Sequence, residues 1–68
     1  MTAPRAADLP VGSRVRNDSG DLIAVRFTHA IDGWRVNGLG AFWDHEIDEW
    51  LTTGGHAEVL RVGDGGGR

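Results

Sequence analysis

Four clusters of turn-forming residues divide the chain into pieces that suit only short strands and a single helix. Asn17-Asp18-Ser19-Gly20, Asp32-Gly33, Asn37-Gly38 and Gly54-Gly55 each combine residues that accept left-handed backbone angles or bond their own backbone, so the chain must reverse or stop there. Between them the apolar pattern has period 2. In residues 11–16, Val11, Ser13 and Val15 fall on one side and Arg14 and Arg16 on the other, which is the pattern of a half-buried strand. In residues 21–28, Ile23, Val25 and Phe27 share a face opposite Leu22, Ala24 and Arg26, and their β-branched and aromatic character strengthens the strand reading. Trp34-Arg35-Val36 is a third short strand bracketed by turns, and residues 39–43 are a fourth or an extended lead into the next element.

The period changes at Asp44. Ile47, Trp50 and Leu51 recur at spacings of three and four, the signature of one helical face. Asp44 is placed to cap this helix, and Glu46 and Asp48 to meet the positive end of its dipole. Gly54-Gly55 ends it, and residues 57–62 form a β-branched final strand. The order strand, strand, short strand, short strand, helix, strand predicts a mainly β fold. It is either a small SH3-like β-barrel or a strongly bent antiparallel sheet with one helix before the last strand, and a two-layer sheet with the helix packed across it is the competing architecture.

With 68 residues there is room for one domain, and such a chain buries only about 60% of the surface its unfolded form exposes. Residues 10–62 form that domain. Residues 1–9 lack any period and are expected to be a flexible arm, and residues 63–68 a flexible glycine-rich tail. The absence of cysteine removes disulfides and thiolate metal sites, and suits a reducing cytoplasm. The longest apolar run, residues 22–25, falls far below the roughly 20 residues of a membrane span. Arg5 and Asp8 interrupt the place where a signal peptide would be continuously apolar.

Leu9-Pro10-Val11-Gly12-Ser13, Asp18-Ser19-Gly20-Asp21, Gly33-Trp34 and Gly55-His56-Ala57-Glu58-Val59-Leu60 resemble the landmarks of small uncharacterised proteins of actinobacteria and their bacteriophages. The resemblance spans roughly residues 9–62. It implies an actinobacterial or phage setting and a host cytoplasm, and it assigns no activity and no site residues.

The residues exclude more functions than they suggest. His45-Glu46 begins like a helical zinc-protease motif, but Glu49 stands where the second histidine ligand would be. His29, His45 and His56 share no element with ligand spacing, so no metal and no cofactor is expected. Ser13 and Ser19 lack a nucleophile elbow. Asp44, Glu46, Asp48 and Glu49 on a wet helix lack the desolvated cleft that acid–base catalysis needs. Gly63-Asp64-Gly65-Gly66-Gly67 precedes no helix that would hold a phosphate. The chain therefore reads as non-catalytic, with no small-molecule substrate.

Two binding surfaces are open to it. Phe42 and Trp43 are adjacent, so in a strand they point to opposite faces. Either Trp43 is exposed beside arginine, as at protein interfaces, or both rings pack at the start of the helix. The first alternative predicts docking on a protein partner, a host protein or a second copy, through Trp34, Arg35, Trp43, Asp44 and Glu46. The other surface is an arginine stripe of Arg14, Arg16, Arg26 and Arg35, which would bind nucleic acid by neutralising phosphates. Against it stand the net charge of −3 and the nearby Asp18, Asp21 and Asp32, which would neutralise the arginines locally.

Overall fold

A computed structural model of the chain describes residues 5–65. Strands β1 (Arg14–Arg16), β2 (Ile23–Arg26), β3 (Trp34–Val36) and β4 (Gly40–Phe42) form an antiparallel meander, and helix α1 (Asp44–Thr53) leads to β5 (Glu58–Arg61). β5 returns to pair with β1, so the sheet order is β4-β3-β2-β1-β5. The fold is mainly β, with the helix before the last strand. Of the architectures open to the sequence, the closed barrel is not the one formed: the sheet is bent and open, with β4 and β5 as its edges rather than a closing pair. Pairing between β1 and β5 slips by a residue at Arg14 and Val15, an irregularity of the kind that bends a strand.

The hairpins form where the sequence places them, by different means. Asn17 is buried in the β1–β2 loop and organises it: its Oδ1 accepts from the N–H of Gly20 (2.8 Å) and Leu22 (3.0 Å), and its Nδ2 donates to Asp21 (2.9 Å). The β3–β4 turn is closed by one bond, Leu39 N–H to Val36 C=O (3.0 Å), with positive φ at Gly38 but not at Asn37. It is therefore not the double left-handed turn that Asn-Gly favours most. Asp32-Gly33 is part of a longer loop, in which Phe27 N–H reaches Gly33 C=O and Gly33 N–H reaches Ala30 C=O.

Helix α1 lies over the inner face of the sheet. Ile47 is fully buried, and Trp50 and Leu51 pack against the same core, which holds Val15, Ala24, Trp34 and Val36. Phe42 meets Trp50 with ring centroids 5.5 Å apart. The helix begins one residue earlier than expected, with Trp43 rather than Asp44 as its N-cap. Glu46 completes that end by accepting from Trp43 N–H (2.9 Å), half of a capping box. Asp44 is thereby freed to turn inward.

Both chain ends are more engaged than their composition suggests. Residues 5–9 are not a free arm: Ala6–Asp8 make a single 3-10 turn, Ala6 and Leu9 are buried, and Ala6 N–H donates to Asp48 (2.7 Å). The apolar pair with its spacing of three escapes a period search because one turn is too short to show a period. The tail is likewise tied as far as Gly65, since Gly63 N–H donates to Ser13 Oγ (2.9 Å) and Gly65 N–H to Val11 C=O (3.2 Å). Gly63 runs so close to Val11 and Gly12 that a Cβ there would strike their backbone, which is why glycine is required. The expected flexibility of residues 1–4 and 66–68 concerns positions outside the described residues.

Candidate functional site

The register of β2 inverts the expected faces. Val15 faces Ala24, Ala24 faces Val36, and Arg26 faces Trp34, so Ala24 and Arg26 point inward under the helix while Ile23, Val25 and Phe27 point outward. Arg26 is 3% exposed and cannot belong to a surface stripe. Its guanidinium is wrapped by acceptors: Nη1 donates to Ala6 C=O (2.6 Å) and Leu9 C=O (3.1 Å), Nη2 to His29 C=O (3.0 Å), and Nε to Thr28 C=O (2.8 Å). Asp44 supplies the countercharge at 3.5 Å, and the Trp34 ring lies 5.7 Å from the cation. An ion of this kind is tolerated in a core only when its donors are all met, and no buried side-chain nitrogen or oxygen among the described residues lacks a partner.

The same cluster withdraws two residues from the expected protein-docking set. Trp34 is 0% exposed, and its Nε1–H donates to Asp44 Oδ1 (2.8 Å). Asp44 is held between Trp34 and Arg26 at the edge of the core. Glu46 is half-buried and engaged in capping. Arg35 and Trp43 remain exposed. Trp43 continues β4 in extended conformation (φ −96°, ψ 158°), two residues beyond Ala41, which is the cross-strand partner of Arg35. Alternation therefore sends Arg35, Ala41 and Trp43 to the same outer side.

That outer face is where exposed arginine and apolar side chains gather. One row crosses the whole sheet: Arg61 of β5 faces Arg14 of β1, Arg14 faces Val25 of β2, Val25 faces Arg35 of β3, and Arg35 faces Ala41 of β4. The next row sets Glu58 beside Arg16 and Arg16 beside Ile23. Arg16 is paired, at 2.8 Å from Glu58, and also donates to His56 C=O. Arg14 and Arg61 stand directly opposite each other, with no carboxylate on either among the described residues. Opposed side chains of this kind sit about 5 Å apart at Cβ, and like charges there destabilise a sheet. Among the described residues Arg35 bonds only to the carbonyls of Asp32 and Trp34.

Between the arginines runs an apolar strip. Ile23, Val25 and Phe27 floor a shallow groove that Arg35, Asn37 and Gly40 wall on its far side. Phe27 is 60% exposed and Trp43 45%. Ile31 joins them at this end of the sheet, since its C=O accepts from Asp44 N–H, next to Trp43. The sequence does not mark Arg61, Ile23, Val25 and Phe27 as functional. Ile23, Val25 and Phe27 are the more apolar half of their strand and so read as core, and the irregular pairing of β5 hides which way Arg61 points.

The opposite side of the molecule differs in kind. His45, Asp48, Glu49, Thr52 and Thr53 line a dip on the outer surface of α1 that is open to solvent. Among the described residues no group of three His, Asp or Glu side chains is gathered to hold a metal ion, and no helix is long and apolar enough to cross a membrane. No family model matches the chain, and neither curated proteins nor solved structures give a match.

Proposed function

We propose that this chain is a non-catalytic docking protein whose working surface is the outer face of the sheet, and whose partner is a protein presenting apolar side chains among carboxylates. The observation that carries this reading is the apolar strip of Ile23, Val25 and Phe27 set between the unpaired Arg14 and Arg61 on one flank and Arg35 on the other. An apolar centre with an arginine rim is the composition of protein interfaces, and Trp43 and Arg35 are residue types that dominate their energy. A surface built only for phosphates would have less use for two β-branched aliphatic residues at its centre, since bases stack on aromatic rings. Support for a non-catalytic role comes from the inward-turned carboxylate, Asp44, which Trp34 and Arg26 already occupy. The resemblance to small actinobacterial and phage proteins fits a host protein as partner, met in the cytoplasm.

A synthetic peptide of alternating glutamate and leucine, titrated into labelled protein, tests this reading. Its binding should shift the amide signals of Val25 and Arg35 and leave those of Thr52 and Thr53 in place. Arg14→Glu together with Arg61→Glu should weaken it at least tenfold, about 1.4 kcal/mol. If the peptide does not bind while a uridine oligonucleotide does, with affinity falling steeply as salt rises, the face is a nucleic-acid surface and the protein-docking reading fails. Shifts confined to α1 would also overturn it.

A further inference from the structure

The chain has two asparagines, Asn17 and Asn37, both in hairpin loops, and the structure treats them oppositely. We propose that Asn37 is a site of spontaneous deamidation, a self-modification that needs only water and places a new negative charge on the wall of the outer-face groove.

The reaction requires the backbone nitrogen of the next residue to attack the side-chain amide carbon. For Asn37 that nitrogen belongs to Gly38, and it donates to no acceptor among the described residues, because the turn is closed by Leu39 N–H instead. Apart from the adjoining residues, nothing among the described residues lies within 4 Å of where a Cβ of Gly38 or Gly40 would sit, so no packed segment crowds the turn. Gly38 and Gly40 both have positive φ, and glycine moves between backbone wells at little cost. Asn37 is exposed, and its side chain makes no hydrogen bond to another of the described residues. Attack by Gly38 N on Asn37 Cγ forms the C–N bond of a five-membered succinimide. The Gly38 amide proton and the side-chain NH2 leave as ammonia. Water then adds to one of the two ring carbonyls and opens the ring. Addition at the carbonyl derived from the side chain gives aspartate in a normal backbone, and addition at the original backbone carbonyl gives isoaspartate. No electron changes hands.

The other candidates for the same ring closure are held back. Asn17 is buried, its Oδ1 accepts two backbone N–H groups, and its Nδ2 is bonded to Asp21. Of the two Asp-Gly steps within the described residues, Gly33 N–H is bonded to Ala30 C=O and Gly65 N–H to Val11 C=O. The attacking nitrogen is thus engaged in each.

The test is incubation of the full chain at mildly alkaline pH, followed by peptide mass mapping with isoaspartate detection. The expected result is exchange of NH2 for OH at Asn37 as a mixture of aspartate and isoaspartate, with Asn17 intact in the same sample. An Asn37→Ser variant should show no exchange over the same period. Conversion at Asn17 as fast as at Asn37, or no conversion at Asn37 while an unfolded peptide of residues 34–41 converts under the same conditions, would overturn the proposal. The chemistry does not depend on the docking role of the groove. Only its consequence does: under that role the aged protein should bind the acidic peptide more weakly than fresh protein, and equal binding would sever that link while leaving the modification itself established.

Discussion

Arg26 and the Arg14–Arg61 pair lie on opposite faces of the same small sheet, one strand apart, and the fold deals with their charges in contrary ways. Arg26 is enclosed by four backbone carbonyls, a carboxylate and an indole ring. Arg14 and Arg61 are set against each other and left to solvent. The difference shows that arginine serves two purposes here. On the inner face it ties the N-terminal turn, the 28–29 loop and α1 to β2, so that a core too small to hold by apolar burial alone gains a polar hub. On the outer face Arg14 and Arg61 are cross-strand partners exposed to solvent, and under the proposed docking role they would meet carboxylates.

The largest expected effect breaks the inner half of this contrast. Asp44→Ala removes the countercharge of a cation that stays buried, at a cost of about 3–5 kcal/mol. A domain of this size has a total stability of roughly 3–10 kcal/mol, so urea denaturation should find the variant largely unfolded or close to it. A change smaller than about 1 kcal/mol would mean that the carbonyls alone satisfy Arg26.

An intermediate effect sharpens the contrast between the two hairpins. Asn17→Ala strips the Leu22 N–H and the Asp21 carboxylate of their partner at a buried position, while Gly20 N–H keeps its bond to the residue-17 carbonyl, and the same denaturation measurement should show a loss of about 1–3 kcal/mol. Asn37→Ser, at a turn that nothing packs against, should stay within about 0.5 kcal/mol of the parent.

The smallest effect has the opposite sign. Arg14→Thr relieves the like-charge opposition and puts a β-former in the strand, so thermal melts at low salt should show a gain of about 0.2–1 kcal/mol. That gain should shrink as salt screens the charges. Destabilisation instead would show that Arg14 is held by the surface rather than merely tolerated there.

These contrasts also mark how far the sequence could be read. The turn clusters and the three-and-four spacing of Ile47, Trp50 and Leu51 locate every strand and the helix, because glycine, asparagine and apolar period act locally. The β1 faces are right for the same reason: Val11, Ser13 and Val15 are buried, and Arg14 points out. The β2 faces are reversed because they depend on something non-local. Besides the neighbouring Thr28 and His29 carbonyls, Arg26 is admitted to the core by Asp44, eighteen positions away in sequence, and by the Ala6 and Leu9 carbonyls. No window over residues 21–28 contains those distant partners. The exposure of Arg35 and Trp43 was open to reading, since one alternates with buried neighbours and the other is one ring of an adjacent pair. The inward roles of Trp34 and Asp44 were not, because an indole N–H meeting a carboxylate across ten residues is invisible to any local period.

The place of β1 between β2 and β5 bears on how the chain is made. Strands β1 to β4 are neighbours in both sequence and space and can zip together as they emerge from the ribosome. The other side of β1 waits for β5, whose partners lie some forty positions upstream, as Arg16 and Glu58 do. Until then the side of β1 that the edge strand β5 will cover carries a row of unpaired backbone groups open to any passing strand. The nascent protein is thus most prone to aggregate in the interval between synthesis of the helix and arrival of its final strand.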